Sequence, residues 1–171
     1  MRRRQLTLFV DEPWRSRLQQ LRVALDPVQA ALIPAHVTLC RDEEVASVTA
    51  ETVAHRVASW PHGPLAMSFG AAQRVEGHGV LLRCADGAVG FHALRQWLLQ
   101  DADARELGAH ITLAHPRNPR AAGNTDDALT AVPHALALTF ASVALIEQHG
   151  TAPWTVQQHV MLGAHRRAGA N

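Results

Sequence analysis

The chain has 171 residues, 47% of them apolar and 18% charged, which is enough apolar content for one globular domain and excludes a disordered chain. The formal net charge of +1 excludes a global basic field of the kind that announces nucleic-acid binding. All 16 cationic residues are arginine, so any cationic side chain that holds an anion does so with a planar guanidinium.

Cys40 and Cys84 form neither a CxxC pair nor a metal-type spacing, which suits a reducing compartment. The basic start carries an apolar run of only about six residues, too short for a secretory core or a membrane span. A cytoplasmic protein without membrane association is expected, with Arg2–Arg4 as a solvated terminus.

In chain order, "QLTLFV" (5–10) alternates as a strand. Pro13 opens a helix in which Trp14, Leu18, Leu21 and Leu25 form the apolar stripe, and Asp26-Pro27 ends it. "HVTLCR" (36–41) is a second strand. Thr49 caps a helix bearing Val53, Ala54 and Val57, which Pro61 stops. "LAMSFGAAQRV" and "GVLLRC" read as two strands joined at "EGHG". After Asp86-Gly87 comes a helix with Val89, Leu94, Trp97 and Leu98 as its buried stripe.

"HITLAH" (110–115) is a further strand and "PRNPRAAGN" (116–124) an irregular loop. Thr125 caps a short helical turn with Asp126 and Asp127 in its first turn. "ALALTFASVALIEQ" and "WTVQQHVML" close the chain as two strands, and 164–171 form a frayed tail. No linker interrupts this order, so residues 1–171 are expected to form a single two-lobed domain whose halves rhyme.

The rhyme is sharp at one point. His36-Val37-Thr38-Leu39 recurs 74 residues later as His110-Ile111-Thr112-Leu113. Composition alone predicts roughly 0.07 copies of such a string in the chain, so two copies argue for an internal repeat. Strand alternation turns Val37, Leu39, Ile111 and Leu113 towards a core in each half. His36, Thr38, His110 and Thr112 take the opposite face, where an approximate two-fold makes them meet across a cleft. Two imidazoles can serve as base and acid on opposite sides of a phosphorus, and two hydroxyls can hold its non-bridging oxygens. Such a set needs no metal.

With these paired strand motifs the sequence resembles the 2H phosphoesterase superfamily. "PAHVTLCR" and "GAHITLAHPRN" are most similar to its bacterial 2′-5′ RNA ligase (LigT-like) branch. The resemblance implies an α+β, bilobal, pseudo-two-fold duplicated fold, with antiparallel sheets lining a central cleft and helices outside. It further implies metal-independent action on 2′,3′-cyclic phosphates or 2′-5′ phosphodiester links of RNA or nucleotides, with reversible 2′-5′ ligation as an additional activity. His36 and His110 are then the acid–base pair, and Thr38 and Thr112 hold the phosphate. Many ligase-like members carry arginine five residues after the second motif histidine. Here that position is His115, while the first copy keeps Arg41.

Arg41, His115, Arg117, Phe9 and Trp154 are candidate substrate contacts, with Arg120 a further stand-in for the family arginine. Cys40 shares the strand face of His36 and Thr38 and is expected along the cleft as a filler, without a base to make it a nucleophile. The other nine histidines include no HExxH and no ligand-spaced cluster, so no metal and no cofactor are expected. RNA or a nucleotide is the expected partner, and a monomer the expected state. The alternative is a binding module for RNA ends or nucleotides that keeps the phosphate cleft without turnover.

Overall fold

The computed structural model describes residues 1–75, 79–115 and 134–163. Strand β1 (Arg2–Phe9) leads into α1 (Trp14–Leu25), with Pro13 just outside the helix at its N-cap. The helix buries Leu18, Arg22 and Leu25. Asp26 ends it, but Pro27 at once starts a second, short helix, α2 (Pro27–Leu32), because proline is preorganised for a first helical position. The Asp26 carboxylate accepts the Gln29 N–H at 3.3 Å and caps that helix.

Then follow β2 (His36–Cys40), the single turn α3 (Asp42–Val45) and α4 (Ala50–Ala58), the last capped by Thr49, whose Oγ1 accepts the Thr52 N–H at 3.1 Å. Next come β3 (Leu65–Val75), β4 (Gly79–Asp86), α5 (Ala88–Leu99), β5 (His110–Ala114), β6 (Ala135–Phe140), β7 (Ser142–His149) and β8 (Thr155–Met161). The "EGHG" loop, apart from Gly79, the 116–124 loop, the Thr125 helical turn and the 164–171 tail lie outside the described residues.

All eight strands belong to one antiparallel sheet, ordered β6-β3-β4-β5-β2-β1-β7-β8. The architecture is α+β and duplicated, and the expected sheets are its two four-stranded halves, joined where β2 meets β5 at Val37 opposite Ile111. The repeat extends well beyond the tetrads: α1 and α5 begin and end 74 residues apart, as do β2 and β5. Leu8 pairs with Val37 as Leu82 pairs with Ile111. Each motif strand also carries a bulge at the same place, between the pairs Leu6–Cys40 and Thr7–Thr38 and between Val80–Ala114 and Leu81–Thr112.

Three expectations are corrected. The run 135–148 is two strands, not one: β6 pairs with β3 on one edge, and after Ala141 the chain crosses to pair β7 with β1. Val89 is 86% exposed, because α5 turns Phe91, Leu94, Arg95 and Leu98 inward. The two half-cores are one, since Val37, Leu39, Ile111 and Leu113 share a continuous cluster with Leu18, Val57, Phe91 and Leu94.

Arg95 is buried in this core because both of its terminal nitrogens find partners there. It donates to Leu39 O on β2 and to Arg105 O at 2.9 Å, and pairs with Glu44 Oε1 at 2.6 Å. A buried guanidinium persists where a carboxylate and carbonyls take its protons, and this one ties α5 and α3 to the end of the first motif strand.

Candidate active site

Alternation places the tetrads as their spacing predicts. Val37, Leu39, Ile111 and Leu113 are at most 1% exposed, while His36, Thr38, His110 and Thr112 are half-buried and line one cleft of about 440 Å³. The two imidazoles are held in the same way. His36 Nδ1 lies 2.7 Å from Pro34 O, and His110 Nδ1 lies 2.8 Å from Gly108 O. A carbonyl oxygen accepts, so Nδ1 is the donor in each ring, and the neutral ring then carries its lone pair on Nε2. Both carbonyls sit two residues before their histidine, so the anchoring is part of the repeat.

Burial pushes the His36 pKa down to about 4; the Pro34 carbonyl opposes this, and the Arg22 guanidinium and His110 reinforce it. His36 is therefore neutral at neutral pH, with an unprotonated Nε2. The Phe9 ring stands edge-on to it, with centroids 6.4 Å apart and planes at 68°.

Of the candidate contacts, His115 and Trp154 line the cleft. The Arg3 guanidinium lies 5.3 Å from the Trp154 ring centroid, making an aromatic and cationic wall at that part of the cleft. The His115 N–H donates to Asp26 Oδ2 at 2.8 Å, joining the end of β5 to the start of α2. Phe9 does not line the cleft; it packs with Ile33, Ala144 and Ile146 against the back of His36. Arg41 is turned away as an exposed N-cap of α3, its N–H donating to Glu44 Oε2 at 2.7 Å. Arg117 and Arg120 lie outside the described residues.

Cys40 is also corrected. It is fully buried in the core, not along the cleft, because the β2 bulge inserts one residue and flips the face beyond it. Burial pushes its thiol up to about 12, which leaves it inert.

Sequence reasoning missed Arg22 and Asp26. Both are buried, and Arg22 lines the cleft with the motif histidines. The signal was an arginine four residues after Leu18 on the helix face that also carries Leu25. Among the described residues no group of three or more histidine, cysteine or carboxylate side chains could hold a metal ion, and no helix is long and apolar enough to cross a membrane.

Sequence comparison finds no matching family model and no matching curated protein. Solved structures do match along nearly the whole chain. LigT of Escherichia coli, solved with NADP+, is 16% identical with a TM-score of 0.62, covering 95% of this chain and 98% of that one. TT0787 of Thermus thermophilus is 17% identical with a TM-score of 0.59, over 94% and 98%. A protein described as a phosphoesterase is 14% identical with a TM-score of 0.54, over 95% and 99%. E. coli LigT has also been solved with phosphate, 3′-AMP and ATP. Matches of this length and shape fix the architecture, and the chain has a LigT-like fold.

Proposed function

We propose that the protein is a metal-independent phosphodiesterase acting on 2′,3′-cyclic phosphates or 2′-5′ phosphodiester links of RNA or nucleotides. The observation that carries this reading is the pair of Nδ1-anchored imidazoles on one cleft, each beside a threonine on its own strand.

In hydrolysis of a 2′,3′-cyclic phosphate, water attacks phosphorus while His36 Nε2 takes its proton. The bond from phosphorus to one ribose oxygen breaks, and His110 Nε2 gives a proton to that leaving oxygen. The Thr38 and Thr112 hydroxyls donate to the non-bridging oxygens, where charge accumulates in the transition state. The cycle leaves His36 protonated and His110 neutral, and exchange with solvent restores both. His36 is assigned the base because burial keeps it neutral. With a ribose 5′-hydroxyl in place of water, His36 takes its proton, the bond from phosphorus to the 3′ oxygen breaks, and His110 protonates that oxygen, which leaves a 2′-5′ link. A nucleobase rests at the Trp154 and Arg3 wall, since an aromatic face beside a cation stacks any base. LigT's capture with phosphate and adenine nucleotides supports a ligand of this class.

The test is hydrolysis of nucleoside 2′,3′-cyclic phosphates in EDTA. His36→Ala and His110→Ala are each expected to lower kcat by about 10²–10⁴-fold. Undiminished turnover in either variant overturns the mechanism, and tight nucleotide binding by a wild-type protein without turnover points to a binding module instead.

A further inference from the structure

Arg22 and Arg95 are buried arginines satisfied in different ways. Arg95 has the Glu44 carboxylate at 2.6 Å. Arg22, only 3% exposed, donates through Nη1 to Ile33 O at 2.6 Å and to Gln19 Oε1 at 3.1 Å, both neutral acceptors. Nε of each guanidinium lacks a partner among the described residues, so the carboxylate is what separates the two. Asp26 acts on Arg22 through space, but no carboxylate lies within ion-pair distance of it among the described residues. A buried cation with no anion in contact is costly, and this one borders a cleft that an anion can enter.

The position of Arg22 says where that anion sits. Its side chain lines the cleft that holds His36, Thr38, His110 and Thr112. Consecutive carbonyls fix it relative to the base: Ile33 O holds the Arg22 guanidinium and Pro34 O holds His36 Nδ1. The repeat does not duplicate this cation. The residue 74 positions later is Gln96, whose amide donates to Ala102 O at 2.5 Å.

We propose that Arg22 is the fixed cation of the phosphate site, contacting a non-bridging oxygen of a phosphodiester bound between the two motif strands. The proposal rests on the reading of the cleft given above and names the group that selects an anionic ester. The two threonines offer neutral donors; Arg22 supplies the charge that a phosphodiester monoanion neutralises. Burial lowers its pKa to about 10 against the opposing effect of Asp26, so the guanidinium is still charged at neutral pH.

Two measurements test this. Wild-type protein is titrated with inorganic phosphate while the Arg22 side-chain Nε–H resonance is followed by NMR; the resonance is expected to shift with phosphate occupancy, and an unmoved signal at saturation overturns the proposal. Arg22→Gln is expected to weaken phosphate binding by about 10–100-fold, the worth of a charged hydrogen bond, and Arg22→Lys to recover part of that affinity. On a 2′,3′-cyclic phosphate the Gln variant loses both KM and kcat, since the contact exists in the ground state and strengthens in the transition state. A folded Arg22→Gln protein that keeps phosphate affinity within about twofold refutes the role; if that variant does not fold, the wild-type titration decides. The two readings fail separately. Full turnover in His36→Ala or His110→Ala removes the acid–base mechanism and leaves a phosphate-shifted Arg22 standing, whereas inactive histidine variants with an indifferent Arg22 remove this inference alone.

Discussion

Phe9 and Arg83 occupy equivalent positions in the two halves of the sheet, each the cross-strand partner of a motif histidine: Phe9 of His36 and Arg83 of His110. Two strands with the same tetrad and the same bulge thus give their histidines unlike neighbours. Residues directly opposite on an antiparallel pair share a face, so the His36 imidazole has a half-buried phenyl ring edge-on to it, while the residue opposite His110 is an exposed arginine. Different surroundings are the means by which two chemically identical groups would take the base and acid roles proposed for them.

The acid limb of the pH–rate profile follows from this. The His36 pKa lies near 4, against 6.5 for an unperturbed imidazole. Above that value Nε2 is free to accept a proton; below it the base is lost. We expect kcat/KM on a cyclic nucleotide to hold down to about pH 5 and to fall below it, where an unshifted histidine would already have lost most of its activity. The same shift lowers stability as pH falls from about 6.5 towards 4, because the unfolded chain takes up a proton that folded His36 refuses. Rates are therefore normalised to the folded fraction measured by circular dichroism at each pH. An acid limb near pH 6.5 contradicts the assignment of His36 as the base.

Replacing the ring at position 9 separates burial from charge as causes of that shift. Phe9 packs with Ile33, Ala144 and Ile146 and shields one side of His36. Phe9→Ala is expected to cost about 1–3 kcal/mol, less than a fully buried phenylalanine, and to let water reach the imidazole. The His36 pKa then rises towards 6.5, because burial is the largest cause holding it down. Titration of the histidine ring protons by NMR reads the change. A His36 pKa unmoved in Phe9→Ala would assign the shift to the remaining wall of the cleft.

What was legible in the sequence is what local periodicity encodes. The tetrads declare their buried and cleft faces because alternation on a strand is fixed by backbone geometry, and Thr49 declares a cap because its hydroxyl meets a backbone N–H three residues on. Where tertiary partners decide, the pattern misleads. Arg95 reads as a solvated residue until Glu44 and Leu39 O come to it from distant segments, and counting it as polar turns the expected stripe of α5 towards Val89. The run 135–148 shows no break because β7 is buried along nearly its whole length, so nothing in its hydrophobicity marks the crossing to the other half. The acceptor that holds Arg22 from beyond its helix, Ile33 O, and the His115 N–H that meets Asp26 from the other half of the sheet are set by tertiary structure in the same way.

Asp26 offers the last prediction, since one carboxylate serves both halves. It is fully buried; Oδ1 accepts the Gln29 N–H at 3.3 Å and caps α2, and Oδ2 accepts the His115 N–H at 2.8 Å at the end of β5. Thr49 is a control, an exposed cap within one segment, and Thr49→Ala is expected to cost about 1 kcal/mol. Asp26→Ala loses a cap and also leaves a half-buried N–H from the other half without its acceptor, which brings the expected loss to about 2–4 kcal/mol. Asp26→Asn does not restore it, because an amide offers one acceptor oxygen and turns an NH₂ towards the second backbone N–H. Urea unfolding of the three variants measures these differences. If Asp26→Ala costs no more than Thr49→Ala, the carboxylate is a local cap and does not join the halves. If it costs several-fold more and kcat falls with it, the bond to His115 is part of what holds the two motif strands in register across the cleft.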